Sequence, residues 1–474
     1  MAVNEVQIEE LVRGVLKQMG NVEADSAVSG TIGGKRLLGI FDNIEEAIAA
    51  AKEAQKEIQP MPLEFREKII AGIRKKTFED CKIFAELGVE ETGMGNVGHK
   101  ILKHQLVAEK TPGTEDLTTI AWSGDRGLTL TERGPWGVIG AVCPSTNPTE
   151  TVICNSIGMI AAGNTVVFMP HPSAKNVSNL AIDMINRASV EVGGPENIVV
   201  GVKNPTIETS NIVFAHSDVD LLVATGGPGV VTSVLKSGKR AMGAGAGNPP
   251  VLVDETANLI KAAEDIVNGC TFDNNLPCIA EKEVIAVDTI ADELIYHMEQ
   301  AGCYHANANE VQKLLATVFT EKSGKQILNR KCVGRSAKVL LGMIGVTVGD
   351  EIRCIIFEDE KTNPMIWEEL MMPILGIVRV KNVDEGIALA VELEHGNRHS
   401  AHMHSTNVNN LTKYGKAIDT AIFVKNAPSY AALGFGGEGY TTFTISSRTG
   451  EGLTSAKDFT KSRRCVLGDA LCIR

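Results

Sequence analysis

The sequence predicts an α/β protein in which a doubly wound parallel sheet is followed by a second α/β lobe. Buried strands and helices alternate over residues 136–224, and the pattern restarts after Gly247. This alternation is typical of βαβ units, whose strands pair in parallel. The chain has 474 residues. One hydrophobic core supports only roughly 250 to 300, so at least two domains are expected.

The composition is that of an ordinary globular protein with a net negative charge. Hydrophobic residues make up 43% of the chain and charged residues 22%, as in typical soluble domains. The formal net charge of −12 argues against nucleic acid and anionic membranes as partners, because both are bound mainly through Lys and Arg. No apolar run reaches the length that a bilayer requires.

Cysteine and histidine spacing predicts neither a disulfide framework nor a metal site. The ten cysteines are scattered singly, which is typical of reduced thiols in an intracellular protein. Four histidines fall within residues 395–404 without a cysteine or carboxylate motif, so we interpret this segment as a loop near a polar cleft.

The first 35 residues predict a helix on a tether. Over residues 1–19 apolar side chains recur at helical spacing, and glutamates interrupt the place where a signal peptide has its apolar region. Residues 20–35 are rich in glycine, serine and acidic residues, which predicts a flexible linker. The apolar stripe docks either on a partner or back on the body of the chain, and composition leaves both open.

The remaining elements follow the α/β pattern. Helical periodicity covers 43–55 and 64–87, and the alternation over 127–133 predicts a strand that leaves the body as an arm. In the first lobe we expect ligands at the carboxyl ends of the strands. Its strands are expected at 136–142, 165–169, 198–202 and 221–224, and its helices at 149–162 and 174–192. The second lobe is expected to have strands at 251–253, 284–287 and 377–380, helices at 257–269 and 291–301, and tail strands at 440–445 and 464–467.

A candidate site is expected around Cys278. It follows the turn-forming run Asp273-Asn274-Asn275 and precedes the charged pair Glu281-Lys282, and a β-branched strand starts at once. Such a loop-to-strand junction holds a side chain rigidly and leaves it reachable. The alternative is a packed core cysteine, the commonest fate of a free thiol.

Asn147 lies where strand 136–142 ends and a helix opens. An asparagine amide there can donate a hydrogen bond to a developing oxyanion, a contribution of about 3 to 4 kcal/mol in other enzymes. The alternative is that Asn147 only caps the helix.

Two glycine-rich segments predict a nucleotide site. Thr225-Gly226-Gly227 follows a strand, where glycines let backbone amides approach phosphate, although it is not a complete dinucleotide motif. Segment 243–250 consists mostly of small residues and would line the space between the lobes where a flat ligand passes. Both segments and Asn147 are expected to converge on Cys278.

Seven segments together carry a resemblance to a known family. They are Glu-Thr-Gly-Met-Gly at 91–95, Pro-Ser-Thr-Asn-Pro-Thr at 144–149, Pro-His-Pro at 170–172, Thr-Gly-Gly at 225–227, residues 243–250, Asn-Leu-Pro-Cys-Ile-Ala-Glu-Lys at 275–282 and Gly-Gly-Glu-Gly at 436–439. From about residue 36 to the end the chain resembles the aldehyde dehydrogenases. More narrowly, it resembles the CoA-acylating propionaldehyde and acetaldehyde dehydrogenases of bacterial microcompartments.

The resemblance implies an aldehyde dehydrogenase fold. It implies a Rossmann-like nucleotide-binding domain over 36–246 with arm strands at about 120–134, a catalytic domain over 247–435, and a segment 436–474 that returns to an oligomerisation arm. A homodimer or homotetramer is implied as well. In this group an N-terminal amphipathic helix acts as an encapsulation signal. Residues 4–19 are therefore expected to dock on a shell or cargo protein, within a microcompartment lumen in the bacterial cytoplasm.

The resemblance also implies roles for individual residues. Cys278 would be the nucleophile, Asn147 would help to form the oxyanion hole, and Glu369 would contact the nicotinamide ribose. The other residues implied to bind the cofactor are Ser145, Thr146, Pro170, His171, Pro172, Thr225, Gly226, Gly227, Gly243, Ala244 and Gly245.

One departure from the family pattern points to coenzyme A as the acyl acceptor. Hydrolytic relatives carry a glutamate that activates water, and Gly243 occupies that position here. A positioned base contributes about 100- to 10,000-fold, so its absence should cripple hydrolysis. A thiol acceptor needs less help near neutral pH. Two alternatives remain. Glu281 could replace the missing glutamate as the base, and the enzyme could be a hydrolytic aldehyde dehydrogenase.

A second departure concerns the cofactor. Met169 stands where many relatives have a lysine that holds the adenosine ribose. NAD follows from the resemblance, and NADP stays open.

Residues 148–151 and Leu276-Pro277 resemble the propionaldehyde enzymes more than the acetaldehyde ones. The expected reaction is therefore oxidation of a short-chain aldehyde, propionaldehyde, with NAD and coenzyme A to acyl-CoA and NADH; an acetaldehyde-preferring enzyme is the alternative.

Overall fold

The computed structural model describes residues 31–32, 35–322 and 324–473, and these divide into two compact units. Unit 1 contains the described residues up to Thr92, Ile101–Ala244 and Tyr440 onward, and unit 2 contains Gly93–Lys100 and Gly245–Gly439. The sequence analysis expected domain boundaries after residues 246 and 435, and that assignment of domains stays a prediction. The predicted helix over 1–19 and most of the predicted linker over 20–35 lie outside the described residues.

Residues 93–100 belong to unit 2, although the sequence analysis placed them in the nucleotide-binding domain. The Asp273 carboxylate accepts hydrogen bonds from the Asn96 backbone N–H at 2.7 Å and from Lys100 Nζ at 3.1 Å. The Gly95 N–H donates to the Gly334 carbonyl at 2.9 Å. These hydrogen-bonded residues are far apart in sequence, so no local pattern could have placed segment 93–100 in unit 2.

Unit 1 contains alternating strands and helices. Its strands are β1 (Thr31–Ile32), β2 (Lys35–Arg36), β3 (Ile40–Phe41), β4 (Ile120–Gly124), β5 (Gly127–Pro135), β6 (Val138–Val142), β7 (Thr165–Met169), β8 (Val199–Val202), β9 (Leu221–Thr225) and β10 (Arg240–Ala244). Its helices are α1 (Ile44–Ile58), α2 (Leu63–Thr92), α3 (Val97–Lys110, which begins in the unit 2 segment), α4 (Pro148–Ala161), α5 (Lys175–Glu191), α6 (Ile207–Ala215) and α7 (Pro228–Leu235).

Six of these strands form the predicted doubly wound parallel sheet, which is confirmed. Their order is β10-β9-β6-β7-β8-β3, and every neighbouring pair is parallel. The chain runs from β6 in one direction through β7 and β8, and then in the other through β9 and β10. The topological switch point therefore lies between β6 and β9, where ligands bind in folds of this kind. Ile48, Val213 and Val231 pack α1, α6 and α7 into one hydrophobic cluster with the sheet.

Unit 2 is a second α/β unit. Its strands are β11 (Pro250–Val253), β12 (Glu283–Val287), β13 (Cys303–His305), β14 (Phe319–Lys322), β15 (Lys325–Leu328), β16 (Cys354–Glu358), β17 (Ile374–Val380), β18 (Ser400–His404) and β19 (Ile422–Lys425). Its helices are α8 (Leu259–Thr271), α9 (Asp288–Gln300), α10 (Ala308–Val318), α11 (Ala337–Met343), α12 (Pro364–Trp367), α13 (Val383–Leu393) and α14 (Val408–Ile418).

Seven parallel strands form the unit 2 sheet, in the order β13-β16-β17-β12-β11-β18-β19. Successive residues of a strand face opposite sides, and both sides are buried here. Leu252 and Ile285 belong to one hydrophobic cluster, and Val251 and Val284 to another. This explains why the central strands are continuous apolar runs in the sequence.

A separate antiparallel sheet in unit 1 joins β5 to β4 and to the tail strand β22 (Thr460–Gly468). The strands predicted at 127–133 and 464–467 lie within it. The strand predicted at 440–445 is wrong except at its end, where β20 (Ile445–Ser446) pairs with β21 (Gly452–Leu453). Just before β20 the Thr444 hydroxyl donates a hydrogen bond to Asn155 Oδ1 at 3.0 Å, and no neighbouring strand pairs with this segment within the described residues. Within the described ranges, no helix combines the length and apolarity needed to cross a bilayer.

Candidate active site

Cys278 lies in a turn just before strand β12. Helix α8 ends at Thr271, the non-helical segment Phe272–Asn275 follows, and the Ala280 N–H donates to the Pro277 carbonyl at 3.0 Å. Cys278 is partly exposed, whereas seven of the nine other cysteines are buried. The alternative that Cys278 is a packed core cysteine is therefore wrong.

The three residues that precede this turn are held in an unusual backbone conformation. Asp273, Asn274 and Asn275 have φ values of 50°, 54° and 67°, in the left-handed region that Asp and Asn enter more readily than other non-glycine residues. Asn274 Nδ2 donates to the carbonyls of Gly95 at 3.1 Å and Gly334 at 2.9 Å, and Asp273 bonds the 93–100 segment. The loop that carries the thiol is thus anchored by its own side chains.

Lys282 places a buried ammonium beside the thiol. The residue is 3% exposed, and its Nζ donates to the Asn275 carbonyl at 3.1 Å and to Asn275 Oδ1 at 2.5 Å. The Asn275 amide is fixed in turn, since its Nδ2 donates to the carbonyls of Cys270 at 3.0 Å and Glu281 at 2.9 Å. A buried charge with neutral hydrogen-bond partners is unfavourable, so burial lowers the pKa of Lys282.

The thiol, the Lys282 ammonium and the Glu369 carboxylate influence one another. Burial raises the pKa of Cys278 to about 12; the charge of Glu369 raises it too, and Lys282 lowers it. Burial also raises the pKa of Glu369, against the effects of Lys282 and the Gly247 N–H. The resting thiol is therefore protonated at neutral pH, and its proton must be removed before the sulfur can act as a nucleophile.

These groups lie just before adjacent strands of the unit 2 sheet. Cys278 precedes β12, Glu369 precedes β17, Gly247 precedes β11 and His399 precedes β18. Neighbouring parallel strands begin at one edge, so four segments that are distant in sequence meet there. The candidate residues of unit 2 thus lie at the amino edge of their sheet, and not at a carboxyl edge.

His399 is a candidate functional residue that the sequence analysis missed. A Cβ on Gly247 would meet His399 Cγ at 2.8 Å and the Cys278 carbonyl at 3.0 Å, so the ring lies close to the nucleophile's backbone. The His399 ring is buried, and its Nδ1 lies 2.9 Å from Ser400 Oγ. Its Nε2 has no hydrogen-bond partner among the residues that the structure describes. Burial and the Lys282 charge lower its pKa to about 4. The imidazole is therefore neutral at physiological pH, and its Nε2 is a buried nitrogen whose hydrogen-bonding capacity is unused by the described residues.

The interpretation of 395–404 as a loop near a polar cleft is wrong for Ser400–His404, which form the buried strand β18, whereas residues 395–399 lie in a loop. His402 Nε2 lies 2.9 Å from the Ile279 carbonyl and supports the turn after the thiol. In the described ranges, no group of three or more His, Cys, Asp or Glu side chains could hold a metal ion. Only the accumulation of histidines could have drawn attention to His399.

Glu281 is badly placed to replace the missing base. Its Oε1 accepts a hydrogen bond from the Ser429 N–H at 2.8 Å, and its carboxylate lies against Gly269. Burial raises its pKa to about 8, so it is mostly protonated at neutral pH. The charges that act on the thiol come from Glu369 and Lys282 instead.

The predicted cofactor residues of unit 1 share one edge of the six-stranded sheet. They follow the carboxyl ends of adjacent strands, as the sequence predicted. The Gly226 N–H donates to the Ala244 carbonyl at 3.1 Å and ties two of these ends together. Ser145 and Thr146 follow β6, Pro170, His171 and Pro172 follow β7, Thr225 ends β9 and is followed by Gly226 and Gly227, and Gly243 and Ala244 end β10. Gly245 is the first residue of the main unit 2 segment.

The start of helix α7 fits a phosphate group. Gly227 is its N-cap residue and has no side chain, and a Cβ at Gly227 or Gly229 would meet no atom within 4 Å. Exposed backbone N–H groups at a helix start bind anions well. The Thr225 hydroxyl is buried and lies 2.8 Å from Thr444 Oγ1, and a part for Thr225 in cofactor binding stays a prediction.

Gly243 is closely packed where a side chain would begin. It pairs with Ala224 in the sheet, and a Cβ there would meet Val231 Cγ1 of helix α7 at 2.9 Å. A side chain at this position would therefore require Val231 to move.

Asn147 is the N-cap residue of helix α4, as the alternative held, but its side chain makes no capping hydrogen bond. The residue is 6% exposed, and its Oδ1 accepts a hydrogen bond from Lys103 Nζ at 2.5 Å. Its carbonyl accepts from Thr151 Oγ1 at 2.6 Å. The expected convergence of Asn147 with Cys278 stays a prediction.

Comparison with known proteins identifies the family. A model of the aldehyde dehydrogenase family matches residues 27–462. The chain therefore belongs to the aldehyde dehydrogenase family.

Within that family the chain is similar to CoA-dependent enzymes. It is 47% identical to the acetylating acetaldehyde dehydrogenase EutE of Escherichia coli K12, with 99% of this chain and 100% of the relative covered. A propionaldehyde dehydrogenase from the fucose utilisation bacterial microcompartment of Clostridium phytofermentans is 66% identical with a TM-score of 0.91, and the match covers 92% of this chain and 100% of that one. A Rhodopseudomonas palustris propionaldehyde dehydrogenase, solved with bound CoA and an acylated cysteine, is 55% identical with a TM-score of 0.89, over 92% of this chain and 99% of that one.

Proposed function

We propose that this chain is a CoA-acylating aldehyde dehydrogenase that oxidises a short-chain aldehyde with NAD and transfers the acyl group to coenzyme A. The observation that carries the proposal is the partly exposed Cys278 thiol, which shares one sheet edge with Lys282, Glu369 and His399. The relative from Rhodopseudomonas palustris was solved with CoA and an acylated cysteine. The same chemistry at Cys278 explains why that thiol is presented in a turn.

The first half of the reaction forms a thioester on Cys278. The thiol gives up its proton, for which the Glu369 carboxylate is a suitable acceptor because burial raises its pKa. Lys282 stabilises the thiolate, which adds to the aldehyde carbon and turns the carbonyl oxygen into an oxyanion. By the family pattern, the Asn147 amide and the Cys278 N–H donate hydrogen bonds to that oxyanion. When bound, the nicotinamide cofactor supplies the acceptor for the hydride that leaves the former aldehyde carbon.

The second half passes the acyl group to coenzyme A. His399 is neutral and its Nε2 is available, so it can accept the proton of the CoA thiol as that sulfur attacks the thioester. The bond to Cys278 then breaks and the enzyme thiolate is restored. Water competes poorly, because Gly243 replaces the base that hydrolytic relatives use, and such a base contributes about 100- to 10,000-fold. Two successive half reactions predict ping-pong kinetics.

The cofactor is NAD in this proposal. The Gly226-Gly227 turn and the start of helix α7 would hold its phosphates, and Glu369 would contact the nicotinamide ribose. Because Met169 and His171 do not exclude a 2′-phosphate, NADP is the alternative. Comparison of kcat/KM for the two cofactors at saturating aldehyde and CoA decides between them.

The aldehyde is propionaldehyde in this proposal, and an acetaldehyde preference is the alternative. The Clostridium phytofermentans and Rhodopseudomonas palustris relatives are propionaldehyde dehydrogenases, and the Escherichia coli relative is an acetaldehyde dehydrogenase. Steady-state kcat/KM with two-, three- and four-carbon aldehydes tests the preference. A maximum at two carbons would favour the acetaldehyde enzyme.

We also propose that the enzyme works inside a bacterial microcompartment. The similarity to a microcompartment protein supports this, together with the amphipathic pattern of residues 4–19. Residues 1–19 fused to a fluorescent protein should co-localise with a microcompartment shell, and a fusion with charged residues on the apolar stripe should not.

The arm sheet of β4, β5 and β22 is proposed to join subunits into a homodimer or homotetramer. Light scattering would measure the mass of the assembly.

The central experiment measures NADH formation with and without coenzyme A. With CoA we expect sustained turnover, and without it a single turnover per active site followed by a very slow phase. Rapid sustained turnover without CoA would show a hydrolytic enzyme. Cys278→Ala should abolish both phases, which separates enzymatic from background oxidation.

A further inference from the structure

We infer that Lys103 is a positioning residue that fixes the orientation of the Asn147 amide. The inference rests on the proposed function, in which the Asn147 Nδ2 donates to the oxyanion. Lys103 lies on helix α3 and is fully buried, and its Nζ lies 2.5 Å from Asn147 Oδ1 and 2.8 Å from Glu150 Oε1. All three residues belong to unit 1.

The chemistry of lysine decides which end of the amide faces it. An ammonium has only donors, so the atom of Asn147 that it contacts must be the carbonyl oxygen. The two ends of a planar amide point in opposite directions, and the Nδ2 donors are therefore directed away from Lys103. One of them donates to Thr146 Oγ1 at 3.3 Å, and the other is the donor proposed for the oxyanion. Without Lys103 the amide can rotate by half a turn and present its oxygen to the oxyanion, which would repel it.

The ammonium is itself held in one place by groups around the start of helix α4. The Glu150 carboxylate is fully buried and pairs with it, and the Phe443 ring centre lies 5.6 Å from Nζ. His104 Nε2 lies 2.7 Å from Thr149 Oγ1, which in turn lies 3.3 Å from Glu150 Oε2. A charged donor on Oδ1 also polarises the amide and strengthens Nδ2 as a hydrogen-bond donor.

A double-mutant cycle with Asn147 tests the inference. Asn147→Ala should slow the first-turnover formation of NADH by about 100- to 1,000-fold. Lys103→Met should slow the same step by about 10- to 100-fold, the effect of losing a hydrogen bond to a charged group. Because Lys103 acts through Asn147, Lys103→Met should cause no further slowing in the Asn147→Ala background. KM for the aldehyde should change less than the rate does.

Arg66→Met is the matched control. Arg66 is a buried cation of unit 1, 8% exposed, and it donates to the Ala161 carbonyl at 3.2 Å, at the opposite end of helix α4 from Asn147. This variant should lower the melting temperature and leave the first-turnover rate unchanged. Lys103→Gln keeps a neutral donor for Asn147 Oδ1, so it should fold and should retain more activity than Lys103→Met.

The outcomes distinguish the inference from the proposed function. The inference would be overturned if the rate loss caused by Lys103→Met persists in full in the Asn147→Ala background. If Lys103→Met does not fold, the same criterion applies to Lys103→Gln. If Asn147→Ala itself leaves the rate unchanged, the proposed oxyanion role of Asn147 fails first.

Discussion

Lys282 Nζ is held by two oxygen atoms of Asn275, the carbonyl at 3.1 Å and Oδ1 at 2.5 Å. One asparagine thus fixes a buried cation next to the nucleophile from within the nucleophile's own loop. Both contacts are to neutral groups, so the positive charge remains available to a thiolate.

Lys282→Met should make Cys278 less reactive. Lys282 lowers the pKa of Cys278, so its removal raises that pKa, and each unit of increase reduces the thiolate fraction tenfold at any pH below it. Alkylation of Cys278 by iodoacetamide at pH 8 should slow by at least about tenfold, as measured by mass spectrometry of its peptide. Lys338→Met removes an exposed ion pair with Asp350 and serves as the control. Equal alkylation rates in the wild type and Lys282→Met would contradict the prediction.

Cys278→Ser should block formation of the acyl-enzyme. The wild type incubated with propionaldehyde and NAD, without CoA, should gain the mass of one propionyl group on the Cys278 peptide. The serine variant should lose NADH formation by at least about 1,000-fold, because a hydroxyl without a strong base is a poor nucleophile. Cys465→Ser, at an exposed thiol, should behave as the wild type. An acyl group found on another cysteine would reject the assignment.

His399→Gln should separate the two halves of the reaction. Its first turnover of NADH should stay near the wild-type rate, whereas CoA-dependent turnover should slow by about 100-fold through loss of a proton acceptor. Because the pKa of His399 is lowered to about 4, its protonation should not reduce the wild-type rate between pH 8 and pH 6. Stopped-flow absorbance at both pH values measures the two phases. Equal slowing of both phases would assign His399 a structural role only.

Glu281→Gln should alter the pH dependence of stability and not the reaction. The pKa of Glu281 is raised from 4.5 to about 8, so between these values the folded protein holds a proton that the unfolded chain does not. The stabilisation is complete below pH 4.5 and is lost as the pH rises through 8. From pH 5 to pH 8 the wild type should lose on the order of 4 kcal/mol of unfolding free energy relative to the variant. Urea titrations at both pH values check this.

The same variant tests the alternative base. Glu281→Gln should retain CoA-dependent NADH formation, since its carboxylate bonds the Ser429 N–H and lies against Gly269. Loss of activity without loss of folding would restore Glu281 as a candidate base.

Local patterns predicted the strands and the ends of strands, and therefore much of the candidate site. Cys278, Asn147 and the Thr225-Gly226-Gly227 turn each stand where an apolar run meets a turn, which a sequence shows directly. The partners of these residues could not be predicted, because Lys103, His399 and Asp273 reach the site through contacts between distant segments. The strand predicted over 440–444 failed for the same reason, since the Thr444 side chain bonds helix α4 and strand β9 instead of a neighbouring strand.

The high pKa of Cys278 also affects how readily its sulfur is oxidised between turnovers. Peroxides attack thiolates far faster than thiols, so a sulfur that is protonated at rest resists conversion to sulfenic and sulfinic acids. The desolvation and the Glu369 charge that slow ionisation thus preserve the nucleophile while no aldehyde is present.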